Sequence, residues 1–234
     1  MKLSAVCCTY NRPRYLGELI ECFLRQDYPS ELRELVILDD AGQYGNVDGN
    51  GWKIISIPFR FTSLGEKRNA AASLVSSDSE GILVADDDDL YFSHWFSAHA
   101  SALKNGDWSC PSRIYTECDK GFQTKETNGI FHACHAFRRK IFGKIHGYAP
   151  KNSGEDQDLF HRLHEANAVK IDPCEFHPPF YVCRFRGDTS HLSAMNLETG
   201  YRELGEKTRD DAKSLVIAWK EDYDALLLQS MEVM

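Results

Sequence analysis

Residues Ile82 to Phe92 read ILVADDDDLYF, with four consecutive aspartates directly behind a short apolar run. Adjacent like charges repel, so this much negative charge at the end of a buried strand calls for a compensating partner or ligand. The apolar part, Gly81 to Ala85, reads as a strand. If the backbone stays extended beyond it, side chains alternate, with Asp86 and Asp88 on one face and Asp87 and Asp89 on the other. Two carboxylates on one face make a hard, oxygen-rich donor set suited to Mg²⁺ or Mn²⁺. The competing reading is a solvated acidic turn, with Asp89 merely capping the helix that follows.

Upstream, strands and helices alternate. KLSAVCCT (Lys2 to Thr9), ELVILDD (Glu34 to Asp40) and WKIISI (Trp52 to Ile57) read as buried strands. Leu16, Leu19, Ile20, Phe23 and Leu24 recur at helical spacing behind Pro13, which suits a first turn. Ser63-x-x-Glu66 is a capping box opening an alanine-rich helix to Val75. Ser93 to Lys104 predicts another helix, closed by Gly106. Near-continuous apolar strands alternating with helices imply an α/β fold whose parallel sheet is covered on both faces. Ligands of such sheets bind beyond the carboxyl ends of the strands. TYNR follows the first strand, DD the second and DDDD the fourth, so one cleft would gather all three.

The 234 residues carry a formal net charge of −8, against a basic nucleic-acid-binding surface, and no apolar run approaches the roughly 20 residues of a membrane span. The N-terminal apolar stretch is too short for a signal peptide, and the eight cysteines form no C-x-x-C pair, so reduced thiols in a cytoplasmic protein are expected. The second half is less regular: GIFHACHAFRR, VKID and FYVCRF look like strands, and GEDQDLFHRLHEAN (Gly154 to Asn167) looks like a helix. In a strand, His132 and His135 would point to opposite faces, which disfavours zinc. From Asn196 the composition turns helical and charged. Its apolar stripe of Leu215, Val216, Trp219, Tyr223, Leu226 and Leu227 is suited to a homo-oligomer, a partner or the core itself. The expected division is a domain over 1–195 and a C-terminal helical extension over 196–234.

Two further features bear on chemistry. Lys67 and Arg68 lie near a helix N-terminus, where phosphate is favoured, although taken alone they read more readily as surface charge. Asp156 lies in the first turn of a predicted helix, whose dipole favours the ionised carboxylate, as does ordinary helix-start electrostatics.

Over roughly residues 3–165 the chain resembles the inverting family 2 glycosyltransferases. That resemblance implies a GT-A fold, Rossmann-like, with a mostly parallel sheet flanked by helices. TYNRP (Thr9 to Pro13) looks like the opening nucleotide-binding loop, VILDD (Val36 to Asp40) like the strand whose last aspartate reads the base, and GEKRNAA (Gly65 to Ala71) like the helix start facing the nucleotide. VADDDD resembles the D-x-D pattern, and GEDQDL (Gly154 to Leu159) the segment carrying the general base. The resemblance thus implies Asp156 as catalytic base, and nucleotide contacts from Thr9, Tyr10, Asn11, Arg12, Asp40, Lys67, Arg68, Asp86 and Asp87. It implies metal contacts from Asp88, Asp86 and a late histidine, His191, with Mn²⁺ or Mg²⁺ as cofactor. The donor would be a UDP-, dTDP- or GDP-sugar and the acceptor a carbohydrate or glycolipid, with membrane association through that acceptor left open.

The chain departs from the pattern at Cys8, where proline is usual, and at Asp39 to Gly42, where DDGS becomes DDAG. The four-aspartate run also permits a one-residue shift of roles. The Q-x-x-R-W motif of processive synthases is absent. Two alternatives stay open: a sugar-phosphate nucleotidyltransferase, disfavoured because no G-x-G-x-R loop follows the first strand, and a catalytically inactive nucleotide-sugar-binding or partner-binding protein.

Overall fold

The computed structural model describes residues 1–118, 121–129, 131–184 and 214–232. The four expected strands form its centre: β1 (Leu3–Thr9), β2 (Arg33–Asp39), β4 (Trp52–Ser56) and β5 (Gly81–Ala85), with the short β3 (Val47–Asp48) at the edge. β1 pairs in parallel with both β2 and β5, and β2 with β4. On the other side come β10 (Ala136–Arg138), β7 (Trp108–Ser109) and β11 (Lys170–Ile171), giving the order β11-β7-β10-β5-β1-β2-β4-β3. β10 is antiparallel to β5 and β7, so the sheet is mixed toward that edge. A second sheet runs β6 (Leu90–Tyr91), β12 (Tyr181–Cys183), β8 (Arg113–Cys118) and β9 (Gly121–Glu126).

Alternation along the central strands divides the core into two layers. Leu3, Ala5, Cys7, Leu35, Ile37 and Leu83 join one cluster with α1 (Pro13–Leu24) and α3 (Trp95–Leu103). Val6, Val36, Leu38, Ile82 and Val84 join the other, with α2 (Leu64–Ser73), α4 (Arg139–Lys144) and α5 (Glu155–Glu165). Both faces of the sheet are therefore covered, as the continuous apolar strands require. At the α2 start Ser63 Oγ accepts from Glu66 N at 3.2 Å, the expected cap.

The irregular half differs from its sequence reading at one informative point. His132–Cys134 is a short 3-10 turn, and only Ala136–Arg138 continues as strand. Residues three apart eclipse in a 3-10 turn. The rings of His132 and His135 therefore meet at 5.3 Å between centroids, where a strand would have sent them to opposite faces. All eight cysteines are free thiols.

At the C-terminus, 214–222 is not helical, and helix α6 spans Tyr223–Glu232. Leu215, Trp219, Tyr223, Leu226 and Leu227 of the expected stripe pack against the α1-side cluster, whereas Val216 is 65% exposed. No helix among the described residues is long and apolar enough to cross a membrane. The segment closes onto α1 at Gly17, where an added Cβ would lie 1.9 Å from the Val216 carbonyl oxygen. That neighbour is backbone and cannot swing aside. Gly17→Ala is therefore expected to lift 214–217 from α1 and cost about 1–3 kcal/mol, the usual penalty for overpacking. Denaturant unfolding together with hydrogen exchange over 214–232 measures both effects.

Candidate nucleotide and metal site

The register brings the carboxyl ends level: Thr9 pairs Asp39 across β1 and β2, and Cys7 pairs Ala85 across β1 and β5. Beyond Ala85 the chain does not stay extended. Asp86 to Asp89 form a turn, so the aspartates do not split into two alternating faces. Each carboxylate has a different environment. Asp86 is 37% exposed at its side chain, and its N–H donates to Tyr91 Oη at 2.9 Å. Asp87 is buried and accepts from Thr9 Oγ1 at 2.6 Å and from Arg12 Nη1 at 2.9 Å. The same Arg12 nitrogen reaches Asp88 Oδ2 at 2.9 Å. Asp89 is fully buried and accepts from Tyr181 Oη and from the N–H of Arg184.

Burial pushes the Asp87 carboxyl up, with Arg12 pulling against it and Asp88 adding to it. Burial also raises Asp89 well above the usual carboxylate range, reinforced by Asp88 and Asp86. For Arg12, the two aspartates outweigh the cost of burial and hold the guanidinium charged. The turn is tolerable because one cation serves two aspartates, burial favours the neutral acid at a third, and the remaining one faces outward.

At the ends of β1 and β2 a second cluster forms. Asp39 accepts from Ala41 N (2.9 Å), Gln43 N (3.0 Å) and Ser56 Oγ (2.6 Å), which orders the Asp-Asp-Ala-Gly loop. The Asp40 side chain is fully enclosed and paired with Lys67 Nζ and Arg60 Nη1, both at 2.5 Å. Lys67 Nζ also donates to the Thr9 carbonyl at 2.6 Å, so it is an internal cation, not a surface charge. Arg60 lies over the Tyr10 ring at 3.6 Å. The next residue, Asn11, adopts φ 54°, a left-handed conformation that asparagine tolerates better than most residues.

Arg68 links this end of the sheet to α5. Its Nη2 is 4.0 Å from Asp86 Oδ1 and 3.7 Å from Glu155 Oε1. Against the cost of burial, Asp86 and Glu155 hold it charged. Burial raises the Glu155 carboxyl despite Arg68. Asp156 is the next residue, half-buried in the first turn of α5, and its Oδ1 accepts from Gln157 N at 2.8 Å. The structure thus gathers Thr9, Arg12, Asp87 and Asp88 in one group, Tyr10, Asp40 and Lys67 in another, and Arg68 and Asp86 beside the α5 start carrying Asp156. His191 lies outside the described residues.

A family model described as Glycosyl transferase family 2 matches residues 4–163. The chain belongs to this family. Its fold resembles that of S. aureus TarS 1-349 in complex with UDP-GlcNAc, with TM-score 0.67 and 20% identity over 84% of this chain and 62% of that one. It also resembles the mannosyltransferase PcManGT from Pyrobaculum calidifontis in complex with GDP-Man and Mn²⁺, with TM-score 0.56 and 16% identity over 78% of this chain and 56% of that one. The chain thus spans about three fifths of the TarS 1-349 chain it matches. No curated protein matches it.

The carboxylate oxygens of Asp86 and Asp88 are hard donors of the kind that suits a divalent cation. Asp86 is partly exposed, and Arg12 Nη1 reaches Oδ2 of Asp88. Among the described residues no three His, Cys, Asp or Glu side chains converge into a complete cage.

Sequence reasoning missed Arg60, Glu155 and Arg184. Glu155 lay inside the motif it singled out, and Arg60 follows a strand whose carboxyl end faces the cleft, so both had a positional signal. Arg184 had none, because its partners are 95 and 166 residues away.

Removing Arg12 would leave Asp87 and Asp88 buried without their cation. Arg12→Ala is expected to destabilise the fold by about 3–5 kcal/mol, the range for breaking a buried pair from one side. Calorimetry checks it, and pairing Arg12→Met with Asp87→Asn should recover part of the loss.

Behind the Arg68 cluster, burial lowers His132 and His135 well below the usual histidine range and takes His99 to about 3. Above about pH 6.5 neither folded nor unfolded chain protonates these histidines; below it the unfolded chain does and the folded one does not. Their contribution is therefore a stability loss that grows as pH falls below that point. The raised Asp89 acts with the opposite sign. Urea midpoints at pH 7.5 and 5.5 should show a weaker loss in His135→Phe than in the parent, with a limit of about 1.4 kcal/mol per pH unit for each histidine.

Proposed function

We propose that the chain is a metal-dependent, inverting glycosyltransferase that moves one sugar from a nucleotide-diphosphate donor to an acceptor hydroxyl. The observation that carries this reading is Arg68, which stands between Asp86 of the acidic turn and Glu155 at the start of α5. A donor whose diphosphate meets the turn would then present its sugar toward Asp156. Family membership and the nucleotide sugars bound in the TarS and PcManGT structures support it.

In this reading the Tyr10 ring takes a face of the base. The enclosed Asp40 contributes through Arg60, which it fixes over that ring. Asp86 and Asp88 would hold Mn²⁺ or Mg²⁺, which when bound neutralises charge on a departing diphosphate. Arg68 is the protein's own cation on the same side. Asp156 takes the proton of the acceptor hydroxyl as its oxygen attacks the anomeric carbon. The nucleotide diphosphate leaves from the opposite side, so the anomeric configuration inverts. The donor is a UDP-, dTDP- or GDP-sugar and the acceptor a carbohydrate or glycolipid.

A thermal-shift screen of the three nucleotide diphosphates, with and without Mn²⁺, identifies the donor base. Chromatographic assay of transfer then tests the roles. Asp156→Asn should lose about 10²- to 10⁴-fold in rate, the usual worth of a general base, while still binding nucleotide. Asp88→Ala should abolish the Mn²⁺ dependence of nucleotide binding. Transfer at the parent rate by Asp156→Asn would remove it as the base.

A further inference from the structure

A buried chain of polar contacts runs from the C-terminal segment to the acidic turn. Its centre is Arg184, 1% exposed and immediately after β12. Arg184 Nε donates to the Asp88 carbonyl at 2.6 Å, its N–H to Asp89 Oδ1 at 3.0 Å, and its Nη1 to Glu18 Oε2 at 2.8 Å. Glu18, on α1 and also 1% exposed, takes the other end of the segment. Its Oε1 accepts from Tyr223 Oη at 2.7 Å and from Lys220 N at 3.3 Å, and its Oε2 lies 3.1 Å from Lys220 Nζ.

We infer that Arg184 and Glu18 are positioning residues for the acidic turn, and that residues 214–232 complete them, setting the turn's affinity for a divalent cation. The inference rests on the function proposed above and names which part of the chain tunes that site. The physical reason lies in the atoms used. Arg184 holds the main-chain carbonyl of Asp88, and the orientation of that peptide limits where the Asp88 side chain can point. The guanidinium fork is rigid, so a displacement of Glu18, which Nη1 engages, moves the Nε contact on the Asp88 carbonyl. Glu18 is kept in place by donors from the C-terminal segment. Losing one leaves a buried carboxylate short of partners, and Arg184 is its remaining cation within the core. Against its burial, Arg184, Tyr223 and Lys220 lower the Glu18 carboxyl, consistent with an ionised group held from both sides. The Tyr223 hydroxyl donates to Glu18, which gives an effect of that hydroxyl on cation binding a path through Glu18 and Arg184.

The test uses the full chain and Mn²⁺ alone, then Mn²⁺ with UDP, dTDP or GDP, with free Mn²⁺ followed by electron paramagnetic resonance. Tyr223→Phe and Arg184→Lys are compared with the parent, and circular dichroism and melting temperature report folding. The lysine variant keeps the charge facing Glu18 but cannot hold the Asp88 carbonyl at the same time. Both variants are expected to weaken Mn²⁺ binding about 5- to 10-fold, the lower end of coupling between linked sites. Hydrogen exchange should rise over 214–232 in Tyr223→Phe. A merely structural role would lower the melting temperature and leave Mn²⁺ affinity where it was. Unchanged affinity in Tyr223→Phe overturns the inference, and this variant decides alone if Arg184→Lys fails to fold. A parent protein that binds no Mn²⁺ with any of the three nucleotides overturns the proposed function and this inference with it, which separates the two failures.

Discussion

One guanidinium makes the acidic turn possible. Arg12 places a single nitrogen 2.9 Å from Asp87 and 2.9 Å from Asp88, both buried at the end of β5. An uncompensated carboxylate at that depth would cost several kcal/mol, and two adjacent ones would cost more than the sum through their repulsion. With Arg12 in place the turn carries much less net charge than its sequence suggests. Asp89 is pushed toward its neutral form by burial. The charge presented outward is then mainly that of Asp86, facing Arg68. A divalent ion at this turn therefore meets a partly neutralised site, and its binding is expected to depend on substrate phosphates as much as on protein ligands.

The parallel strands were legible because each carries its information locally. Leu35, Val36, Ile37 and Leu38 are apolar without a break because both faces of β2 are covered, and the same holds for Ile82 to Ala85. Ser63 and Glu66 announce the α2 cap across three residues. Strand ends follow from strands, so the grouping of TYNR, DD and DDDD at one edge was legible too. Their environments were not. Whether Asp86 to Asp89 continue extended or turn depends on Tyr91, Arg12 and Arg184, and no local pattern encodes that competition. The histidine pair misled for a related reason: apolar neighbours made HACH look like strand, while the 3-10 turn brings its rings together.

Lys67 shows how a residue can match a motif and still do something other than its chemistry suggests. A lysine near a helix start reads as a phosphate ligand. Here it is 1% exposed and divides its donors between Asp40 and the Thr9 carbonyl, tying α2 to the ends of β1 and β2. Arg68, one residue further on, turns toward Asp86 and Glu155 instead. About 100° separates successive residues around a helix, so the two neighbouring cations serve different clusters. Lys67 supports the end of β1 at Thr9, and Arg68 reaches the acidic turn and the start of α5.

The same principle extends to the C-terminal segment. Composition alone makes it a helical appendage, yet its contacts with the domain include one buried carboxylate, Glu18, and one close approach, Gly17. Both lie on α1, directly behind the loop carrying Tyr10 and Arg12. A segment anchored by surface apolar contacts alone could shift without consequence for the cleft. One anchored at Glu18 cannot, because that carboxylate also holds Arg184, which in turn holds the backbone of Asp88 and the side chain of Asp89. Substitutions along this path share partners, so their effects should be non-additive: once Glu18 has lost its hold on Arg184, further loosening of the segment has little left to transmit.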